Sequence, residues 1–547
     1  MIENILAKLK IRLEEIVKEL GVTEEVEIFF EIPKEEKFGD YSTNIAMRLA
    51  KHLRKNPREI ASQIISKIDQ ETYHLVNLEV AGGGFINFFL DRKYIANIVF
   101  EILKLQEDYG NLEIGKGTNV NLEFVSANPT GYLHIGHGRG AAYGDSLARI
   151  MKKAGFEITK EHYVNDGGNQ INNLIESIYE RYKELFGLEI QMGEDYYYGE
   201  EIIEIAKKIK TDKGDFYLNN PYKEDFRKIG VDFLLTGLKE DLKLFNVEFD
   251  IWFSEKSLYD SGEVQKTLDY LIEKGHTYEK DGAIWLKTTE YGDEKDRVLV
   301  KSDKTLTYLT PDIAYHRNKL SRGHDYLINV FGADHHGYIK RLKAAIAFIG
   351  GDPDKVDVEI LQMVRVIQNG EELKMSKRSG KAISLRELID EVGTDALRFM
   401  YISKALSSPM DLDLDLAVKK SNENPVYYVQ YAYARIASLF RVVEEQGIEY
   451  QEVSEFTNVD LGKLSSLLFT LAQYPSVIEE AATKRLPHKI TQYLLNLASN
   501  LHSYYNDEKI ITENLAEVNE KLTIMRAVQV VLKDGLNLIG VSVKEKM

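Results

Sequence analysis

Residues 127–145, ANPTGYLHIGHGRGAAYGD, set two of the chain's 12 histidines, His134 and His137, three positions apart with Gly136 between them. The stretch falls where a strand is predicted to turn abruptly into a helix. Such a turn exposes unpaired N–H groups and the partial positive charge of the helix start, which suits an anion and above all a phosphate. Glycine lets the backbone approach a ligand closely. The imidazoles can donate charge-assisted hydrogen bonds to phosphate oxygens. The ordinary alternative is a pair of structural histidines at a helix start. No Gly-Lys-Ser or Gly-Lys-Thr follows, so this is not a Walker loop, and the glycines do not match G-x-G-x-x-G. Far downstream, KMSKRSG (residues 374–380) places Lys374 and Lys377 in a basic loop after a predicted turn. A solvated loop is the plain reading. A mobile flap that stabilises charge on a departing polyphosphate is the sharper one.

These groups need a frame, and the surrounding pattern supplies one. NVNLEFVSAN (residues 119–128) reads as a strand, GAAYGDSLARIMKKAGF as a helix and EITKEHYVND as a second strand, the order of a right-handed parallel unit. GNQINNLIESIYERYKELFG reads as a helix, and residues from about 185 to 300 as an insertion of long helices and a hairpin. The parallel pattern resumes with DYLINVFGADHHGYIKRLKAAIAFIG and VDVEILQMVRVI, and Ser384 with Glu387 forms a capping box.

The first 108 residues read as a smaller α/β unit. They open on a helix with apolar residues at Ile2, Ile5, Leu6, Leu9, Leu13, Ile16, Val17 and Leu20, stopped by Gly21. VEIFFEI (residues 26–32) alternates like a strand, Asp40 caps the next helix, Asn56 and Pro57 open another, and LVNLEV and FINFFL are strands around a glycine turn. Beyond residue 395 the patterns are helical, with no predicted strand.

Composition bounds the rest. A chain of 547 residues suggests roughly three domains. With no cysteine, disulfides and thiolate metal sites are excluded. No signal-peptide core or run of membrane-spanning length appears, so a cytoplasmic location is expected. The net charge of −17 argues against a protein that coats nucleic acid over its whole surface and confines any polyanion contact to local patches.

The pair HIGH and KMSK, in that order on a parallel α/β pattern, resembles the two signatures of class I aminoacyl-tRNA synthetases, although KMSKR departs from the commoner serine ending. FVSANPTGYLHIGHGRGAAYGD, YVNDGGNQI, YLTPDIAYH, GADHHGY, DALRFMY, NPVYYVQYAYARI and VVLKDGLNLIGVSV look like the arginyl-tRNA synthetase family. The resemblance covers nearly the whole chain and is weakest over residues 185–240. It implies an α/β fold with a class I, Rossmann-like parallel-sheet catalytic domain over 109–394, including the insertion and a KMSK loop at 374–378. It also implies a small α/β N-terminal domain over 1–108 that meets the D-loop corner of tRNA, and an all-α, DALR-type anticodon-binding domain over 395–547.

The same resemblance implies formation of arginyl-adenylate from L-arginine and ATP, with Mg2+ accompanying ATP, and then transfer to tRNA(Arg). It assigns Tyr308 and Asp312 to the arginine side chain, Ser126 and Asn128 to its amino and carboxylate ends with Glu123 nearby, and His336 near the arginine. His134, Gly136, His137, Asp334, Lys374 and Lys377 fall on ATP. The plainer alternative for Asp312 is helix capping after Pro311, and for Tyr308 a core aromatic. Neither zinc nor another resident metal is expected, because adjacent His335 and His336 diverge and no third ligand is evident. Phe85 and Asn87 match positions that touch tRNA, and Tyr427, Tyr431 and Arg435 share a helical face that could meet anticodon bases or be core. The cluster Lys484, Arg485, His488 and Lys489 is a further basic face. A monomer is implied. The remaining alternatives are a class I synthetase for another amino acid and a non-catalytic tRNA-binding paralogue.

Overall fold

The computed structural model describes residues 2–33, 35–373 and 383–547. In the N-terminal unit, β1 (Tyr41–Thr43), β2 (Leu75–Ala81) and β3 (Phe85–Leu90) form an antiparallel sheet in the order β1-β3-β2. The helix Ile2–Glu19 buries the expected stripe, with Ile5, Leu9, Leu13, Ile16 and Val17 in the core. Asn56 caps the helix Pro57–Ile65 through Arg58 N–H, as its sequence predicts.

Two expectations fail in this unit. Residues 26–32 are extended but make only the bridge Glu31–Ser42, so they do not form a strand. Their alternation records Ile28 packing inward beside half-buried Val26 and Phe30, and burial of one face needs no ladder. Asp40 caps no helix. Its carboxylate accepts from both Arg92 guanidinium nitrogens at 2.7 and 2.8 Å and from Leu90 N–H at 2.7 Å, tying the end of β3 to the chain.

The central sheet begins with β4 (Asn119–Glu123), β5 (Glu157–Val164) and β6 (Ile251–Ser254), which lie side by side and parallel. β7 (Thr277–Lys280), β8 (Ala283–Leu286) and β9 (Arg297–Val300) make a separate antiparallel sheet. β10 (Tyr326–Gly332) and β11 (Val356–Leu361) then complete a five-stranded parallel sheet in the order β11-β10-β4-β5-β6. The residues expected as one insertion therefore also contribute the edge strand β6, whose four residues are too short to stand out between long helices. Strand order reverses between β4 and β10, and open α/β sheets bind ligands beyond the strand ends at such a point.

β12 (Val364–Gln368), β13 (Glu371–Glu372) and β14 (Met410–Asp413) form a small sheet in which β14 runs parallel to β12. β14 corrects the expectation of no strand after residue 395. Its four residues sit between helices and gain their ladder only from β12, which is distant in sequence. The remainder is helical, led by Pro425–Glu445, His488–Asp507 and Leu515–Leu538.

Helical and sheet regions are joined by a buried ion pair. The Arg398 guanidinium, fully buried, donates to Asp145 Oδ2 at 2.8 Å, to the carbonyls of Phe245 and Ile539 at 2.9 and 2.8 Å, and to that of Asn246 at 3.2 Å. Any Cβ at Gly540 would fall 2.3 Å from that guanidinium, so the closing segment requires glycine there.

Candidate active site

After β4 the chain turns sharply. Val125 and Ser126 both have positive φ, 69° and 41°. A β-branched residue in that region costs roughly 1–3 kcal/mol and persists only where its surroundings enforce it. The turn leads to the helix Ile135–Lys153, which packs so close to β4 that a Cβ at Gly144 would lie 2.2 Å from the Phe124 ring.

His134 and His137 open that helix as reciprocal caps. His134 Nδ1 accepts from Gly136 N–H at 3.1 Å, and His137 Nδ1 accepts from His134 N–H at 3.2 Å. The rings stack with centroids 3.8 Å apart. Because both Nδ1 atoms accept, a neutral ring carries its proton on Nε2. Burial pushes His137 down to about 3, helped by the neighbouring imidazoles of His134 and His162. Burial and these neighbours favour the neutral form of His137. Capping thus fixes the orientation of both rings at the helix start. Ser384 pairs by a backbone bridge with His134, and Leu385 N–H donates to the Leu133 carbonyl at 2.7 Å. Ser384 and Glu387 form the expected capping box. Lys374 and Lys377 lie outside the described residues.

A cavity of about 850 Å³ opens at the β4–β10 junction, and Glu123, Ser126, Asn128, Tyr308 and Asp312 all line it. Tyr308 is 74% exposed, so the core reading of it is overturned. Asp312 is in the first turn of the helix Leu309–Ser321, whose N-cap position is Tyr308. Its carboxylate accepts from Tyr338 hydroxyl and lies 3.2 Å from His316 Nδ1. Burial works against its charge, but His316, Tyr338 and Lys319 outweigh burial and hold its pKa below the ordinary carboxylate value.

Glu123 differs from Asp312. Buried Lys319 reaches its Oε2 at 2.5 Å, and Ser126 hydroxyl donates to its Oε1 at 2.8 Å. Its charge is met inside the protein, although it borders the cavity. Asn128 donates to Gln170 at 2.6 Å. A second ion pair, Arg322 to Glu161 at 2.7 and 2.9 Å, fastens the end of the same helix to β5.

Glu255 went unnoticed in the sequence. It begins the helix Glu255–Asp260, is only 6% exposed, lines the cavity, and forms no ion pair among the described residues. Burial raises its pKa, and the carboxylates of Asp166 and Asp312 raise it further. Nothing local in FSEKSLYDS marks it, because only tertiary contact brings it to the cavity that Asp312 also lines. Asp334 and His336 belong to the short turn Ala333–Tyr338, and their side chains lie outside the described residues.

The remaining candidates lie away from the cavity. Phe85 is half-buried and Asn87 is 3% exposed within β3. Tyr427 and Tyr431 stack at 6.3 Å, both half-buried, and Arg435 lies over the Tyr505 ring at 3.8 Å, so their face is neither full core nor open surface. In the basic cluster, Lys484 and Lys489 both reach Glu480, while Arg485 pairs with Glu359 and Asp357. Among the described residues, no group of three His, Cys, Asp or Glu could hold a metal ion, and no helix is long and apolar enough to cross a membrane.

Three family profiles match the chain: arginyl tRNA synthetase N-terminal domain over residues 4–90, class I (R) tRNA synthetase catalytic domain over 99–407, and DALR anticodon binding domain over 429–547. The chain is 49% identical over 554 residues to the arginine–tRNA ligase of Anoxybacillus flavithermus and 49% identical over 555 residues to that of Bacillus subtilis, with 100% of each chain covered in both cases. A solved Thermus thermophilus arginyl-tRNA synthetase superposes with a TM-score of 0.73 at 22% identity, covering 99% of this chain and 100% of that one, a likeness of fold.

Proposed function

The chain belongs to the arginine–tRNA ligase family, and from that premise we propose that its cleft activates L-arginine with ATP and passes it to tRNA(Arg). In the first step an arginine carboxylate oxygen attacks the α-phosphorus of ATP, the bond to the bridging oxygen breaks, and pyrophosphate leaves. No protein nucleophile is required; positioning and charge stabilisation carry the reaction. In the second, a hydroxyl of the terminal ribose attacks the activated carbonyl and AMP leaves.

The residues divide this work. His134 and His137 donate from Nε2 to the phosphates beside Gly136. Lys374 and Lys377 neutralise the departing pyrophosphate, a role supported by the pairing of Ser384 with His134. Asp334 meets the ATP ribose. Mg2+ enters as part of the nucleotide substrate. Asp312 accepts the guanidinium fork, Glu255 faces it from the opposite wall, and Tyr308 covers it. Ser126, Asn128 and His336 surround the amino-acid end, with Glu123 as a support held by Lys319.

Three units act together. Residues 1–108 sit at the D-loop corner, with Phe85 nearer the surface than Asn87. Residues 109–394 carry the chemistry. Residues 395–547 meet the anticodon through the face of Tyr427, Tyr431 and Arg435. The enzyme works as a cytoplasmic monomer.

One observation carries the arginine assignment: Asp312 and Glu255 both line the cavity, and neither has a lysine or arginine ion-pair partner among the described residues. A cationic substrate supplies what is missing, and a planar guanidinium fills a bidentate geometry that an ammonium cannot. Attachment of labelled amino acids to bulk tRNA tests this. Arginine is expected to be attached and lysine not; equal transfer of lysine would refute the assignment.

A further inference from the structure

The assignment of Asp312 to the guanidinium leaves its neighbour His316 without a role. His316 sits one helical turn further on and is 1% exposed. Its Nδ1 lies 2.9 Å from the Asp312 carbonyl oxygen and 3.2 Å from Asp312 Oδ1. Both of those atoms accept, so Nδ1 carries a proton. Its Nε2 is buried and meets no hydrogen-bond partner among the described residues.

We propose that His316 is a positioning residue that orients the Asp312 carboxylate towards the bound guanidinium through its Nδ1–H. This rests on the reading of Asp312 as the guanidinium partner. Tyr338 hydroxyl does the same for Asp312 Oδ2. The single Nδ1–H bonds the Asp312 carbonyl and lies beside Oδ1, so each carboxylate oxygen keeps a lone pair for one prong of the guanidinium fork. The contrast with Glu123 defines the device. There the donor is the ammonium of Lys319, which cancels the charge that a cationic substrate would need. The other polar groups on this helix are engaged elsewhere: Tyr315 hydroxyl donates to Glu161, and Lys319 binds Glu123 and Asn329.

The test compares His316→Phe, which keeps a ring and loses the donor, with His316→Asn, whose amide nitrogen can stand in for Nδ1. Asp312→Asn serves as the control. In steady-state arginylation with saturating ATP and tRNA, His316→Phe should raise the arginine KM roughly tenfold or more, the effect of one hydrogen bond to a charged group, with kcat within about threefold. His316→Asn should recover most of that loss. If Asp312→Asn raises KM but His316→Phe does not, the positioning role fails while the Asp312 reading survives. If Asp312→Asn leaves KM unchanged, the underlying reading fails. Nitrogen-15 NMR of the unaltered protein provides a readout that does not depend on a variant folding. A proton on Nδ1 is expected, and an Nδ1 without one would overturn the proposal.

Discussion

In the cleft, Asp312 and Glu255 meet hydroxyls and an imidazole, and neither pairs with a lysine or arginine among the described residues. In the helical region after residue 395, the cations are already matched: Lys484 and Lys489 to Glu480, and Arg485 to Glu359 and Asp357. The two regions draw on the same side-chain types. The cleft leaves carboxylate charge facing an open cavity, whereas the helical cluster spends its charge on protein carboxylates, through Arg485 on those of strand β11. A basic or acidic cluster in sequence therefore marks a binding site only when its counter-charges are absent from the fold.

Replacing His134 and His137 together with alanine is the harshest way to probe the cleft. Arginylation should fall about 100- to 1,000-fold, the range for losing pre-placed donors to developing charge. The double variant Lys484→Ala/Lys489→Ala is its counterpart in the helical region, and comparable damage there would break the contrast. The junction between the regions is nearly as sensitive. Arg398→Ala should cost roughly 3–5 kcal/mol in denaturant unfolding, because Asp145 and several carbonyls lose their buried partner.

A smaller effect tests the electrostatics of strand β5, whose Tyr163 lines the cavity. His162 is fully buried, neither ring nitrogen has a hydrogen-bond partner among the described residues, and it stacks on Trp252 at 4.5 Å. Burial, with the charge of Lys239, pushes it down to about 3. The unfolded chain takes up this proton near the ordinary histidine value, while the folded chain resists until about pH 3. Stability due to this group is thus present above about 6.5 and lost as pH falls, at up to ~1.4 kcal/mol per pH unit. Unfolding of His162→Phe followed from about pH 7 to about pH 5 should show a shallower slope by about one proton. An unchanged slope would mean that His162 is not held neutral. The smallest effect belongs to the helical cluster itself: Lys484→Ala/Lys489→Ala should shift stability by only ~0.5 kcal/mol or less and leave arginylation near its original rate.

The cleft was largely legible in advance because its backbone leaves sequence marks. Glycines and histidines at a strand-to-helix turn signal close approach and capping, and both are found at His134–Gly136. Asp312 and Tyr308 lie one turn apart at a helix start, so local spacing already placed them on one face. Glu255 and His316 carry no such mark, because their importance comes from what distant chain segments bring beside them. The same reason hid β6 and β14, each four residues long and defined by partners far away. The false strand at residues 26–32 shows the converse: alternation reported a buried face correctly, and the missing ladder was a tertiary fact. The helical tyrosine face was the least legible, since spacing that signals burial and spacing that presents rings to a partner are the same.

The most direct measurement of the central claim is a crystal structure of the protein with a non-hydrolysable arginyl-adenylate analogue. The expected complex has its phosphate oxygen within hydrogen-bonding distance of Nε2 on His134 or His137 and its guanidinium forked onto Asp312 with Glu255 opposite. A phosphate seated away from the helix Ile135–Lys153, or a guanidinium pointing to solvent with Asp312 uncontacted, would contradict the account.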